Sequence, residues 1–233
     1  MIPGRYNRPV RLLAALLACV CLHAIAAPFA VQVGDTRVAL DAPPGFADTS
    51  FTGSPRLQEL GETLTSASNR VLLFAVSDAD LRRFMVGDPL EARRYMVAVT
   101  PRVLERERIT PAAFESFVAD SLRGLSPPTP AGTDPRAALD ARPGTQTTLA
   151  ELRRDAEAVS VLQGLRAPQP PRQGLFSAEP PQRYLLSTTS LVLLRGKALS
   201  LTVHSLYEGP ADLEWIRATT LRWIDELRRL NAR

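Results

Sequence analysis

The sequence predicts an α+β fold in which an antiparallel sheet, built from N-terminal and C-terminal hairpins, is covered by amphipathic helices. Three observations predict it. Phe29 to Leu40 alternates apolar and polar residues around a Gly34-Asp35 turn. Tyr184 to Tyr207 repeats this pattern over a longer stretch. The chain then ends in a segment whose apolar residues recur at the spacing of one helix face, as expected for a C-terminal helix.

The first residues have the pattern of a cleavable secretion signal. A basic start, Arg5 to Arg11, precedes an apolar run from Leu12 to Ala27 that ends in small residues. We therefore expect a signal peptide over residues 1–26, cleavage near Ala26 or Ala27, and a periplasmic or secreted protein. Two alternatives stay open, in which the signal is kept as a membrane anchor, or Cys19 of the lipobox-like Leu-Leu-Ala-Cys is lipidated. Only in these two cases do we expect membrane contact.

Cleavage limits the chemistry of the mature chain. Cys19 and Cys21 both lie in the signal, so residues 27–233 contain no cysteine for a disulfide, a thiolate nucleophile or a metal site. Three of the 28 basic residues are lost as well, and 25 basic against 24 acidic residues leave a net charge of +1. The near-neutral balance gives no indication of nucleic-acid binding. The length suits one α+β domain over residues 27–233.

The elements between the two hairpins follow from caps and apolar runs. Helices are expected where a capping residue precedes proline or an acidic turn. In chain order the sequence predicts a helix from Ser54-Pro55, a buried strand over Arg70 to Val76, a capped turn from Ser77 or Asp78 to Met85, a strand over Tyr95 to Thr100, and a helix from Thr110-Pro111. Ile109 and Phe114 have the spacing of a hydrophobic staple at that last helix.

The following stretch is rich in proline. Ser126 to Thr147 holds five prolines, which predicts a long surface loop or disordered insertion at about 126–147. We expect a helix from about Thr148 to Leu162. A second proline-rich connection follows, through Pro168, Pro170 and Pro171.

The C-terminal hairpin is expected to pair Tyr184 to Arg195 with Ala198 to Tyr207 around a Gly196-Lys197 turn. One face would carry Val192, Leu194, Leu199, Leu201 and Val203, and the other Leu191, Leu193, Thr189, Ser200, Thr202 and His204. Gly209-Pro210 starts the final helix, whose apolar stripe contains Leu213, Ile216, Thr220, Trp223, Ile224, Leu227 and Leu230. That helix should pack across the sheet.

His204 is the only histidine of the mature chain, so any histidine-based catalysis has to use it. Thr189, Ser200 and Thr202 would neighbour it, but the chain has no G-x-S-x-G elbow. A histidine on the mixed face of a strand is ordinarily structural. We therefore predict no catalytic, cofactor-binding or metal-ligating residue and no cofactor. A hydrolase that uses His204 with a nearby Ser or Thr remains an alternative.

Other chemistry-bearing residues have structural explanations. Asp78 and Asp80 stand where carboxylates favour a helix start. The seven arginines between residues 82 and 108 are interrupted by acidic residues, which favours a solvated face. Lys197, the only lysine, is expected in the hairpin turn, where a buried catalytic amine would be unusual. Trp223 is expected in the core, and Trp215, at the edge of the stripe, is a candidate rim residue for a partner.

Ala42-Pro43-Pro44-Gly45-Phe46 after the first hairpin, together with the strand-turn-strand-helix ending, resembles the PsbP/DcrB-like α+β fold. The resemblance implies an antiparallel sheet covered by helices and a non-catalytic helper or binding role, with no shared catalytic residues. It does not cover Asp78 to Gln173. The chain also resembles exported proteins of proteobacteria. We expect an accessory or binding domain whose partner is an envelope protein or a small ligand.

Overall fold

The structure is a computed structural model that describes residues 28–168 and 182–232. The predicted signal peptide, with Cys19 and Cys21, lies outside the described residues, and so does most of the second proline-rich connection. Cleavage near Ala26, the lipidation of Cys19 and the location of the protein therefore stay predictions.

The described strands form two antiparallel sheets. The first contains β1 (Phe29–Val33) and β2 (Thr36–Leu40), and the second has seven strands in the order β3-β4-β5-β9-β8-β7-β6. The bounds in the second sheet are β3 Phe46–Asp48, β4 Asn69–Ser77, β5 Arg94–Pro101, β6 Thr147–Arg154, β7 Ala158–Arg166, β8 Tyr184–Leu194 and β9 Lys197–Tyr207. The predicted α+β class with an antiparallel sheet is confirmed.

Five α-helices lie in the described part of the chain. They are α1 Pro55–Thr63, α2 Asp78–Met85, α3 Pro111–Ser121, α4 Pro135–Asp140 and α5 Pro210–Asn231. As predicted, α5 packs across β8 and β9 with its apolar stripe buried. Trp223 is 2% exposed, and its indole N–H donates to the Asp41 carbonyl at 2.8 Å. This bond ties the last helix to the first hairpin.

The caps confirm two of the predicted helix starts. The Thr110 hydroxyl accepts a hydrogen bond from the Ala113 amide at 3.2 Å, and Ile109 and Phe114 are buried in one cluster, as a staple requires. The Ser77 hydroxyl accepts from the Asp80 amide at 3.1 Å. α1 also begins where predicted, although the Ser54 side chain makes no capping bond.

The first hairpin has the predicted register, with Phe29 opposite Leu40 and Val31 opposite Val38. Gly34 in its turn has a φ of 58°, which favours glycine. A Cβ atom there would lie 2.1 Å from the carbonyl oxygen of Glu105. The turn therefore packs directly on the backbone of the loop after β5.

The predicted helix over Thr148 to Leu162 is wrong, because this stretch forms the β6–β7 hairpin. Its Ala, Leu, Glu and Arg residues favour a helix locally, but β7 pairs with β8 over nine residues, and that pairing prevails. The turn is set by Asp155, whose carboxylate accepts from the Glu157 and Ala158 amides at 2.9 Å each.

The predicted loop at about 126–147 contains a short helix, α4, which Asp134 caps by accepting from the Arg136 and Ala137 amides. Leu139 of this helix is fully buried. It lies so close to Gly164 of β7 that a Cβ atom there would meet it at 2.8 Å. This part of the proline-rich stretch thus closes one end of the core.

The two faces of the large sheet are covered differently. α5 covers the first face over the main core. The second face, opposite α5, carries one apolar cluster with α1 and α2 over β4 and β5, and another with α3 over β7, β8 and β9. The predicted division of the C-terminal hairpin into an apolar and a mixed face is confirmed, since Val192, Leu194, Leu199, Leu201 and Val203 all lie in the main core.

Candidate functional site

A row of polar side chains crosses five strands on the second face. Backbone pairing sets Thr148 opposite Gln163, Gln163 opposite Ser187, Ser187 opposite His204, and His204 opposite Tyr95. At ~4.8 Å between strands, this polar row is about 19 Å long. The sequence singled out His204 and the hydroxyl-bearing strands around it, but it did not place Gln163, Thr148 or Tyr95 beside them.

His204 is held as a neutral, stacked ring. Its imidazole lies parallel to the Tyr95 ring, with centroids 4.3 Å apart and 13° between the planes. Burial lowers the pKa of His204 to about 4. Among the described residues, no hydrogen bond joins His204 to a hydroxyl, and Thr189 and Thr202 pair with each other one row away. The structure therefore does not assemble a Ser-His pair.

At the amide end of the polar row, Gln146 supplies the hydrogen bonds, while the buried Thr148 hydroxyl has no hydrogen-bond partner among the described residues. The Gln146 side-chain amide donates to Gln163 Oε1 at 3.1 Å and to Ser187 Oγ at 3.3 Å. Tyr95 stays protonated, because burial raises its pKa. The polar row thus holds no ionised group at neutral pH, which suits packing and hydrogen bonding better than proton transfer.

A cleft of about 330 Å³ opens where β5 begins and β9 ends, between the N-termini of α2 and α5. We call it the end cleft. It is lined by Ser77, Asp80, Arg93, Arg94, Ser205, Leu206, Glu208 and Asp212. The seven arginines interpreted as a solvated face include Arg93 and Arg94, and the structure instead brings these two to a concave site.

Arg94 is fixed from two sides. Its guanidinium donates to Asp212 Oδ1 at 2.7 Å, and its central carbon lies 4.1 Å from the ring centroid of Trp215. The other Asp212 oxygen accepts from the Glu208 and Gly209 amides at 2.9 and 3.2 Å. Burial raises the pKa of Asp212, but these hydrogen bonds and Arg94 outweigh burial and hold that pKa below its usual value. Trp215, the predicted rim residue, positions Arg94.

The other charges of the end cleft differ in how they are engaged. Arg93 donates to the carboxylate of Glu208, and both side chains are more than half exposed. The Arg136 guanidinium donates to the Glu208 carbonyl. In the described part of the chain, the Asp80 carboxylate forms no ion pair and accepts no hydrogen bond. Asp80 is therefore the one lining carboxylate without a described partner.

Lys197 is buried among charged and polar partners. The prediction that it lies in the hairpin turn is therefore wrong. The turn is Arg195-Gly196, both with positive φ, and Lys197 is the first strand residue. Its side chain is 1% exposed, and its Nζ donates to the Glu105 and Glu107 carbonyls at 3.0 and 2.9 Å.

The third partner of Lys197 is Asp35 Oδ1, at 2.9 Å. The hydrogen bond from Lys197, followed by that from Thr36, holds the pKa of Asp35 below its usual value. An ammonium group has three N–H donors, and all three are used here. This Lys197 clamp joins the first hairpin to the loop after β5 and leaves no lone pair for catalysis.

Within residues 28–168 and 182–232, no three His, Cys, Asp or Glu side chains are grouped so that they could hold a metal ion. No helix in the same ranges has the length and apolar character needed to cross a membrane. The end cleft combines a concave shape with the fixed Arg94–Asp212 ion pair.

Two solved structures match the chain. One is the Ran-binding protein Mog1p of Saccharomyces cerevisiae, with 12% identity and a TM-score of 0.39, over 87% of this chain and 93% of that one. The other is a mutant of the protein Mog1, with 12% identity and a TM-score of 0.36, over 88% and 93% of the two chains. No family model matches, and neither does any curated protein.

The expected PsbP/DcrB-like fold is wrong as an identification, since the solved structures that match are Mog1 chains. The residues that suggested it are generic. Pro43-Pro44-Gly45 forms an ordinary turn before β3, and a hairpin followed by an amphipathic helix occurs in many α+β proteins. The TM-scores of the Mog1 chains are low, so this likeness indicates nothing about what the present chain binds.

Proposed function

We propose that the mature chain is an exported, non-catalytic binding domain of the periplasm or the extracellular space, and that its partner occupies the end cleft. The partner is a small ligand or a segment of an envelope protein. The end cleft carries this proposal, because it has the volume at which ligand pockets begin, about 300 Å³, and its Arg94–Asp212 ion pair is fixed before anything binds.

The state of His204 supports the non-catalytic part of the proposal. A general base or acid works best with a pKa near the working pH, whereas the pKa of His204 is about 4. The ring is stacked on Tyr95 and has no hydroxyl bonded to it among the described residues. A hydrolase that pairs His204 with a Ser or Thr would need such a hydroxyl as its nucleophile.

The N-terminal sequence supports the export part. The first described strand, β1, begins at Phe29, and the expected cut falls near Ala26. Intact-mass measurement of the protein from the periplasmic fraction tests this step, and the expected mass is that of a chain starting at Ala27 or within one residue of it. A mass that includes residues 1–26, or an acyl group on Cys19, would contradict it.

The binding part is tested by filling the end cleft. Leu206→Trp adds bulk to the cleft wall and removes no polar group, while Val103→Trp places the same indole side chain at a residue that is 80% exposed. A panel of small metabolites and peptides is screened for thermal stabilisation of the purified protein. We expect this screen to identify compounds that raise the Tm of the wild type and of Val103→Trp but not that of Leu206→Trp.

His204→Ala completes this test, and it should keep the same binding profile as the wild type. Two results would contradict the proposal. One is that Leu206→Trp is stabilised as much as the wild type by every compound that binds. The other is that His204→Ala, while folded, loses a chemical activity of the wild type.

A further inference from the structure

We propose that the end cleft binds a small zwitterion, a compound with one carboxylate and one ammonium group such as a free amino acid or a dipeptide. This inference rests on the proposed function and names the ligand class of the same site. It follows from how many hydrogen-bond donors and charges of the cleft are already in use.

The two arginines form the part of the site that would bind the carboxylate of the ligand. A guanidinium has five N–H donors, and the described partners of Arg94 in the cleft use only the one that reaches Asp212. Trp215 and Asp212 fix the plane of that guanidinium, so the remaining donors are already oriented. Arg93 adds a second guanidinium whose pair with Glu208 is exposed and therefore weak. A carboxylate can accept two parallel hydrogen bonds from one guanidinium, in the bidentate geometry common for arginine.

Asp80 forms the part of the site that would bind the ammonium group of the ligand. The cleft lining contains three carboxylates and two guanidiniums, and a third guanidinium, that of Arg136, donates to the backbone carbonyl of Glu208 at its rim. Asp212 is engaged by three N–H donors and Glu208 by Arg93. Asp80 is the lining carboxylate that has no ion pair and accepts no hydrogen bond in the described part of the chain, so its charge is the one left for a ligand. A simple anion would meet this uncompensated charge, whereas an added ammonium group would neutralise it.

The size of the cleft limits the ligand. A volume of about 330 Å³ is at the lower end of the range of ligand pockets, ~300–1,000 Å³. Leu206 provides one apolar wall, which suits a short aliphatic side chain. One or two amino-acid residues fit these limits.

Four probes with one scaffold test the charge pattern: dialanine, N-acetyl-dialanine, dialanine amide and N-acetyl-dialanine amide. They are titrated onto the purified mature protein by calorimetry. We expect dialanine to bind at least tenfold more tightly than either singly charged probe, and the neutral probe to bind most weakly. Equal binding of dialanine and either singly charged probe would overturn the proposal.

Two variants separate the two halves of the site. Asp80→Asn should bind dialanine and N-acetyl-dialanine within twofold of each other, whereas Asp78→Asn, in the same helix turn but outside the lining, should keep the tenfold preference. Arg93→Gln should reduce the difference between dialanine and dialanine amide, and Arg123→Gln, whose side chain is 80% exposed, should not. An Asp80→Asn protein that keeps the full preference would overturn the assignment of the ammonium group.

The outcome also distinguishes this inference from the proposed function. If none of the four probes binds, while another compound still stabilises the wild type and not Leu206→Trp, the zwitterion is wrong and the end cleft remains a binding site. If Leu206→Trp behaves as the wild type toward every binding compound, the proposed function itself is wrong.

Discussion

Replacing Lys197 by methionine tests the buried lysine, which the sequence predicted to lie in the exposed hairpin turn. The substitution keeps most of the buried stem and removes the three donors of the Lys197 clamp. Two partly buried carbonyls, of Glu105 and Glu107, then lose the hydrogen bond from Lys197. Each unsatisfied buried acceptor costs about 1–3 kcal/mol. Avoiding the burial of an ammonium group offsets part of this cost, so we expect a net loss of about 3 kcal/mol.

Urea denaturation followed by circular dichroism measures the change in the free energy of unfolding. For a chain of this size, ~3 kcal/mol corresponds to about 6–12 °C in Tm. Arg195→Met, in the exposed turn two residues earlier, is the control and should change stability by less than ~0.5 kcal/mol. The pKa of Asp35, followed by NMR, should rise toward its usual value in Lys197→Met, because its main hydrogen-bond partner is gone. If Lys197→Met is as stable as Arg195→Met, the lysine lies in solvent and the clamp does not exist.

Three further predictions concern other parts of the fold. Burial lowers the pKa of His204 to about 4, so as the pH falls the unfolded chain binds a proton before the folded chain does. The free energy of unfolding should therefore fall by at most about 3 kcal/mol between pH 6.5 and pH 4. In urea melts at several pH values, His204→Gln should abolish this loss. Gly34→Ala should lower Tm by more than Gly124→Ala, since only Gly34 has a backbone carbonyl 2.1 Å from the added Cβ; equal shifts would refute the close contact. Asp155→Ala should cost about 1–2 kcal/mol in thermal melts through its two turn bonds, and a change below ~0.3 kcal/mol would argue against that turn.

Local patterns predicted the elements in which all signals agree. In the first hairpin, alternation and the Gly34 turn specify one register, and the structure has it. In the last helix, the cap, the stripe and the length indicate one amphipathic helix, which α5 is. Where local propensity and tertiary pairing disagree, the sequence alone misled. Residues 148–162 favour a helix by composition, and the edge of β8 makes them strands.

A shift of the hairpin turn by one residue explains why Lys197 was wrongly predicted to lie in the turn. Both Arg195-Gly196 and Gly196-Lys197 contain the glycine that a two-residue turn requires, and alternation is the same in either register. The choice between them moves one residue from solvent into the core. Only the contacts with Glu105 and Glu107, about ninety residues away in sequence, decide it.

Sequence patterns could not predict the end cleft either, because contacts between distant parts of the chain form it. Its lining comes from three separate stretches, 77–80, 93–94 and 205–212, and none of them forms a motif alone. Arg93-Arg94 looked like any solvated arginine pair. His204, in contrast, is the only histidine of residues 27–233, and in the structure it is a stacked, neutral ring of the polar row.

Mapping of amide chemical shifts on titration with dialanine tests the central claim most directly, because the end cleft and the polar row predict different patterns. If the end cleft is the binding site, the largest shifts fall at Asp80, Glu208 and Gly209, and they disappear in Leu206→Trp. Shifts centred on Gln163, Ser187 and His204 would instead make the polar row the binding surface and contradict the account.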